Sequence, residues 1–148
     1  MTVAPLPDDS NRRKTVLVVE DDVDVMASLV SGLVDHGFDI LEAAGADEAL
    51  SLCVNSKATI GVAVVDMAMP GMWGDEFAQW LSLVSPDTIV IFISGHTEDF
   101  LRLGGSLTGD DIFFPKPFAI KLMVQKIREL LGLTEHSDLR MEIDRRVE

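Results

Sequence analysis

The sequence is poor in cysteine, in basic residues and in long apolar runs, and it contains no tyrosine. The single cysteine, Cys53, excludes a disulfide framework and a cysteine-rich zinc site. Lys and Arg number 12 against 25 Asp and Glu, and the net charge of −13 disfavours direct binding to nucleic-acid phosphates. No apolar run approaches the roughly 20 residues of a membrane span, and the N-terminus lacks a signal-peptide pattern. These absences predict a cytoplasmic protein that binds neither nucleic acid nor membrane directly.

What the chain does have is a regular alternation of strand-like and helix-like segments. With 148 residues, 47% of them hydrophobic, it is long enough for one domain with a sizeable core. The predicted strands cover residues 15–19, 38–43, 60–65, 88–93 and 111–114, and the predicted helices cover 25–37, 46–54, 75–84, 99–105 and 118–132. Because the strands are apolar almost throughout, the pattern predicts an α/β fold with a parallel sheet covered by helices on both faces.

The two ends of the chain lack this alternation. Residues 1–14 carry prolines and charges without periodicity, which predicts a flexible N-terminal arm. Residues 133–148 form a charged tail in which Leu139, Ile143 and Val147 lie four positions apart. That spacing fits an amphipathic helix, and disorder is an equally supported alternative. The globular domain is therefore expected to cover residues 15–132.

Polar residues follow the carboxyl ends of the predicted strands, where open parallel sheets bind ligands. Glu20 and Asp21 follow the first strand, Asp66 the third, Ser94 the fourth and Lys116 the fifth. Crowded carboxylates raise one another's pKa values unless a cation joins them, and Mg²⁺ prefers such oxygen ligands. Together with a hydroxyl and an ammonium, this set suits the arrival of a phosphoryl group on the Asp66 carboxylate.

Four motifs in this order resemble the receiver domains of two-component response regulators. They are VVEDD at 18–22, VVDMAMPG at 64–71, the Ser94–Gly95 pair and FFPKPF at 113–118. The resemblance covers about residues 15–132 and is greatest to receivers associated with hybrid histidine kinases or to stand-alone response regulators. It implies a flavodoxin-like (βα)5 three-layer sandwich with a five-stranded parallel sheet of order 2-1-3-4-5.

The resemblance also implies a role for each acidic residue at the pocket. Asp66 corresponds to the phosphoacceptor, which takes a phosphoryl group from a phosphohistidine. Asp21 resembles a direct ligand of Mg²⁺, and Glu20 one that acts largely through water. Asp66 itself and the backbone carbonyl of Ala68 would complete the protein ligands, and Mn²⁺ can substitute for Mg²⁺.

The remaining expected site residues serve the phosphoryl group and the switch. Lys116 would pair with the phosphoryl oxygens, and the Lys116–Pro117 bond is typically cis in the family. Ser94 would move inward to hydrogen-bond one phosphoryl oxygen. Phe113 corresponds to an aromatic residue that turns inward with it, although tyrosine is common at that position and Phe113 lacks the hydroxyl.

The function implied is that of a phosphoacceptor signalling domain and not of a turnover enzyme. Its partner would be a histidine kinase or a histidine phosphotransfer protein, docking near Val23, Met26 and Phe118. The domain is expected to be a monomer or a phosphorylation-dependent dimer. The 16 residues after Gly132 are too few for a DNA-binding module, which predicts a stand-alone receiver or a piece of a longer protein.

Two other classes of function fit the sequence less well. An Mg²⁺-dependent phosphatase with an Asp nucleophile usually has a second acid two residues later, where this chain has Ala68. A pure binding module would be a flavin binder or a phosphate-independent receiver. The first would need a phosphate-cradling loop in place of the acidic one, and the second would have lost the acids or the lysine.

Overall fold

The computed structural model describes residues 15–96, 99 and 112–133, and within them a five-stranded parallel sheet. The elements are, in chain order, β1 (Thr15–Val19), α1 (Val23–Asp35), β2 (Asp39–Ala43), α2 (Ala46–Asn55), β3 (Ile60–Asp66), β4 (Ala68–Met69), β5 (Met72–Trp73), α3 (Gly74–Val84), β6 (Ile89–Ser94), β7 (Ile112–Pro115) and α4 (Ile120–Leu130). The order β2-β1-β3-β6-β7 confirms the predicted order 2-1-3-4-5, because β4 and β5 form a separate two-stranded ribbon.

The sheet carries a core on each of its faces. Successive residues of β1 and β3 alternate between the two cores, since side chains alternate along a strand. One core joins α2 and α3 to the sheet, and its members include Leu17, Val19, Ala49, Ala63, Val65, Phe77 and Leu81. The other joins α1 and α4, and its members include Val16, Val18, Leu29, Leu33, Val62, Val64, Met123 and Ile127. This arrangement confirms the prediction of a covered parallel sheet in a three-layer sandwich.

The first helix begins two residues earlier than predicted. Asp22 caps it, and its Oδ1 accepts hydrogen bonds from the backbone N–H groups of Asp24 at 2.9 Å and Val25 at 3.1 Å. The helix ends at Asp35, before Gly37, whose φ of +89° ends the helical conformation. Of the acids that follow Glu20 and Asp21, Asp22 therefore serves as the N-cap that starts the helix.

Some predictions fall on parts of the chain that the structure does not describe. These are the flexible arm at 1–14, the helix at 99–105 apart from Asp99, and the tail beyond residue 133. Among the described helices none is long and apolar enough to cross a bilayer, and the longest, α1, has 13 residues.

Candidate functional site

Three carboxylates meet at the carboxyl edge of the sheet. In the register of β1 and β3, Val19 lies beside Val65, which brings Glu20 alongside Asp66. One carboxylate oxygen of Glu20, one of Asp21 and one of Asp66 all lie within 4.8 Å of one another. Glu20 is 2% exposed and Asp66 5% exposed, whereas Asp21 faces solvent. The edge thus presents a compact, largely buried set of hard oxygen ligands with one open side.

Lys116, which follows β7, joins this acidic group from the strand beyond β6. Its Nζ donates to Glu20 Oε2 at 2.9 Å and to Asp66 Oδ2 at 3.3 Å. Its backbone N–H donates to the Ser94 carbonyl at 2.7 Å, which fixes the lysine next to the end of β6. The Lys116–Pro117 peptide bond is cis, as the resemblance implied. The ammonium is therefore held between two of the carboxylates.

Burial shapes the electrostatics of the pocket. The pKa of Glu20 is raised to about 7, chiefly by burial; the Lys116 hydrogen bond opposes the shift, and the nearby Asp66 charge adds to it. Burial by itself lowers the pKa of Lys116, but the hydrogen bond to Glu20 and the Asp66 charge outweigh it and raise that pKa. One ammonium is thus too little positive charge to keep Glu20 fully ionised at neutral pH, and a further cation beside it would lower its pKa.

The loop after Asp66 contains a feature that the sequence analysis missed. Ala68 and Met69 pair with Met72 and Trp73 in the ribbon β4–β5, and Gly71 turns between them with a φ of +83°. The Ala68 N–H donates to Asp66 Oδ1 at 3.2 Å, so the loop orients the carboxylate. The Ala68 carbonyl stays a predicted metal ligand. The Pro70–Gly71 dipeptide is the signal that could have revealed this turn.

Gly74 allows the start of α3 to pack against the backbone at Asp66. A Cβ atom at this position would lie 2.6 Å from the Asp66 carbonyl oxygen and 2.9 Å from Met67 Cα. The Gly74 N–H donates to the Met67 carbonyl at 2.8 Å. The loop after Asp66 is thereby held closely between β3 and α3, at a glycine that the sequence analysis placed just outside the helix.

Ser94 lies at the same edge, but its side chain is engaged elsewhere. The residue is 2% exposed, and its hydroxyl donates to the carboxylate of Asp99, which is itself buried. The His96 N–H donates to Ser94 Oγ at 3.1 Å. Sequence reasoning gave Asp99 no role, because a single acid in a predicted helix carries no signal of a buried partner.

Phe113, the expected aromatic switch residue, lies on β7. It is half-buried and packs against the core that joins α2 and α3 to the sheet. Its neighbour Phe114 packs against the opposite core and contacts Phe118 edge to face, with ring centroids 5.9 Å apart. Phe113 is thus part of the core packing in this conformation, and its switching role stays a prediction.

Comparison with known proteins places the chain in a family. The sequence model of one protein family, the response regulator receiver domain, matches residues 16–128 of this chain. The chain is 32% identical over 123 residues to the sensor kinase CckA of Brucella abortus (strain 2308), covering 83% of this chain and 13% of the kinase. It is 31% identical over 119 residues to the response regulator MprA of Mycobacterium sp. (strain KMS), covering 80% of this chain and 51% of that protein. The chain therefore spans about half or less of these relatives.

Solved structures agree with the family model. A CheY-like receiver domain protein from Methanospirillum hungatei JF-1 superposes with a TM-score of 0.70 at 26% identity, over 83% of this chain and 97% of that one. The receiver domain from the hybrid histidine kinase CckA superposes with a TM-score of 0.62 at 27% identity, over 79% and 98%. With the matching family model, these similarities establish that the chain belongs to the response regulator receiver domains of two-component signalling systems.

Proposed function

We propose that this receiver accepts a phosphoryl group on Asp66 from a phosphohistidine of a histidine kinase or a histidine phosphotransfer protein. It then signals by changing its surface, or passes the group on, and it does not turn over an external substrate. The observation that carries the proposal is the buried Asp66 carboxylate, held 3.3 Å from Lys116 Nζ and within reach of two more carboxylates. A lone capping or surface aspartate would have neither neighbour.

The transfer needs a nucleophile and a cation, and the pocket has candidates for both. An Asp66 carboxylate oxygen would attack phosphorus, and an O–P bond would form as the N–P bond to the donor imidazole breaks. The imidazole would leave with the electron pair and take a proton from water. Lys116, already hydrogen-bonded to Asp66, would pair with a phosphoryl oxygen and offset its charge.

The donor set fits a hard divalent cation. Glu20, Asp21 and Asp66 offer carboxylate oxygens within 4.8 Å of one another, and the exposed Asp21 leaves a route for metal-bound water. With the Ala68 carbonyl they would hold Mg²⁺, which supplies positive charge against the phosphoryl oxygens, and Mn²⁺ can take its place. The raised pKa of Glu20 also supports a cation site, because a group short of positive charge gains from another cation.

The partner surface is proposed from three apolar residues near the pocket, one exposed and two half-buried. Val23, at the start of α1, is 80% exposed, and Met26 on the same helix is half-buried. Phe118, which follows the Lys116–Pro117 bond, is half-buried as well. An apolar rim next to an acceptor pocket fits a helical donor that must bring its phosphohistidine to Asp66.

Intact-mass measurement after incubation with Mg²⁺ and a small acyl-phosphate donor tests the proposal. Wild type should gain one phosphoryl group, and a chelator should abolish the gain. Asp66→Asn should slow it at least about a thousandfold, because the nucleophile is lost. Asp24→Asn, the same change at an exposed acid near the pocket, is the matched control and should behave as wild type.

Two results would contradict the proposal. One is a phosphoryl group that still appears on Asp66→Asn at the wild-type rate. The other is wild type that stays unmodified both with the acyl phosphate and with a phosphorylated histidine phosphotransfer protein.

A further inference from the structure

We propose that Asp99 is a positioning residue that holds the Ser94 hydroxyl in its resting place, and that a phosphoryl group on Asp66 must compete with Asp99 for the proton of this hydroxyl. The inference rests on the proposed function and goes beyond it by naming the group that opposes the switch. The side chain of Asp99 is not expected to touch the phosphoryl group. Its effect would pass through Ser94.

The hydrogen bonds of Ser94 define the competition. A serine hydroxyl has one proton to donate. Its two acceptors are the Asp99 carboxylate and the His96 carbonyl at 3.1 Å, and a carboxylate is the stronger acceptor. The His96 N–H, at 3.1 Å from Ser94 Oγ, occupies an acceptor position of the same hydroxyl. The proton is therefore committed to Asp99 in this conformation.

Ser94 is nevertheless next to the acceptor pocket. In the sheet register Ile93 pairs with Asp66, and the Ser94 carbonyl accepts the Lys116 N–H at 2.7 Å. Within the described part of the chain, the Ser94 hydroxyl makes no hydrogen bond to Asp66 or Lys116. The backbone of Ser94 is thus in place at the pocket, while its hydroxyl is hydrogen-bonded to Asp99.

Breaking the bond to Asp99 has a cost that couples the two residues. Asp99 is 5% exposed, and a buried carboxylate that loses its hydrogen-bond donor is unfavourable. When Ser94 turns to a phosphoryl oxygen, Asp99 must find water or another donor. The loss of the Asp99 hydrogen bond therefore opposes the turn of Ser94 toward a phosphoryl oxygen. A weaker hydrogen-bond acceptor at position 99 would make that turn more favourable.

The test is the affinity of the protein for beryllofluoride, a phosphoryl mimic, in saturating Mg²⁺. Asp99→Asn keeps the size of the side chain and weakens the acceptor, so we expect about fivefold to tenfold tighter binding. Asp99→Ala should shift the affinity in the same direction. In a Ser94→Ala background Asp99→Asn should change nothing, since the effect would act through that hydroxyl. Asp24→Asn is again the matched control.

The outcomes separate this inference from the proposed function. Wild type that binds no beryllofluoride with Mg²⁺ contradicts both. Wild type that binds, with Asp99→Asn binding equally well or more weakly, overturns only the role of Asp99. A gain that persists without the Ser94 hydroxyl overturns it too, because the effect would then bypass Ser94. Thermal unfolding of each variant in the absence of the mimic shows that the compared proteins are folded.

Discussion

Two groups of side chains at the carboxyl edge of the sheet differ in how they are engaged. One is the charged group proposed to accept a phosphoryl group, the acceptance side, and the other is the Ser94 hydroxyl proposed to respond to it, the response side. At the ends of β1, β3 and β7, Lys116 already bridges Glu20 at 2.9 Å and Asp66 at 3.3 Å. At the end of β6, the Ser94 hydroxyl is bonded to Asp99. The charged groups proposed to receive a phosphoryl group are thus assembled beforehand, while the hydroxyl proposed to respond to it is committed elsewhere. Acceptance and response should therefore be separable by substitution.

Apart from loss of the nucleophile itself, removing the ammonium should have the largest effect, and only on the acceptance side. Lys116→Met keeps much of the side-chain length but removes the charge that would pair with a phosphoryl oxygen. We expect phosphorylation by a small acyl phosphate to slow about a hundredfold to a thousandfold. Lys126→Met is the matched control, because Lys126 pairs with Glu129 on α4 at 3.7 Å. A loss of less than about threefold would remove Lys116 from the proposed chemistry.

The pH dependence of stability should report the burial of Glu20 on the acceptance side. Because the pKa of Glu20 is raised from 4.5 to about 7, the folded state holds this proton more tightly than the unfolded state. Its contribution to stability is full below pH 4.5 and is lost as pH rises to about 7. Glu20→Gln should remove this loss. The unfolding free energy of Glu20→Gln relative to wild type should therefore rise by about 2–3 kcal/mol as the pH increases from 4.5 to about 7.

Urea denaturation at several pH values measures this difference. Glu42→Gln, at an exposed position on β2, is the control and should keep the wild-type slope. Saturating Mg²⁺ should stabilise the wild-type protein more at pH 8 than at pH 5, since the metal binds the ionised carboxylates. A Glu20→Gln protein with an unchanged slope would mean that Glu20 is not the group that titrates in this range.

The smallest effect should come from the response side. Ser94→Ala removes the hydroxyl, which makes no hydrogen bond to Glu20, Asp66 or Lys116 among the described residues. We expect the Mg²⁺ dissociation constant, measured by calorimetry, to stay within about twofold of wild type. Asp66→Asn, which removes a carboxylate of the cluster, is the contrasting variant and should weaken binding. A tenfold change in Ser94→Ala would show that the two sides are coupled before phosphorylation.

The sequence was sufficient to predict the parallel sheet and most of the residues that meet at its carboxyl edge. The apolar runs of β1 and β3 are continuous because the sheet is covered on both faces. The alternation with helices predicted a parallel sheet, whereas the strand order was implied by the family resemblance. Glu20, Asp21, Asp66 and Lys116 were predicted to meet because the carboxyl ends of parallel strands lie at one edge. Their contacts agree with that prediction, and their chemical roles stay proposals.

What only the tertiary structure decided is which partner each polar group takes. The ribbon β4–β5 and the close approach of Gly74 to the Asp66 carbonyl depend on how α3 packs, which no local pattern encodes. The raised pKa of Glu20 depends on burial. The hydrogen bond of Ser94 to Asp99 depends on the fold bringing Asp99 next to the end of β6. Composition and periodicity determine which groups reach the pocket, whereas hydrogen bonds and desolvation depend on distances that exist only in the folded chain.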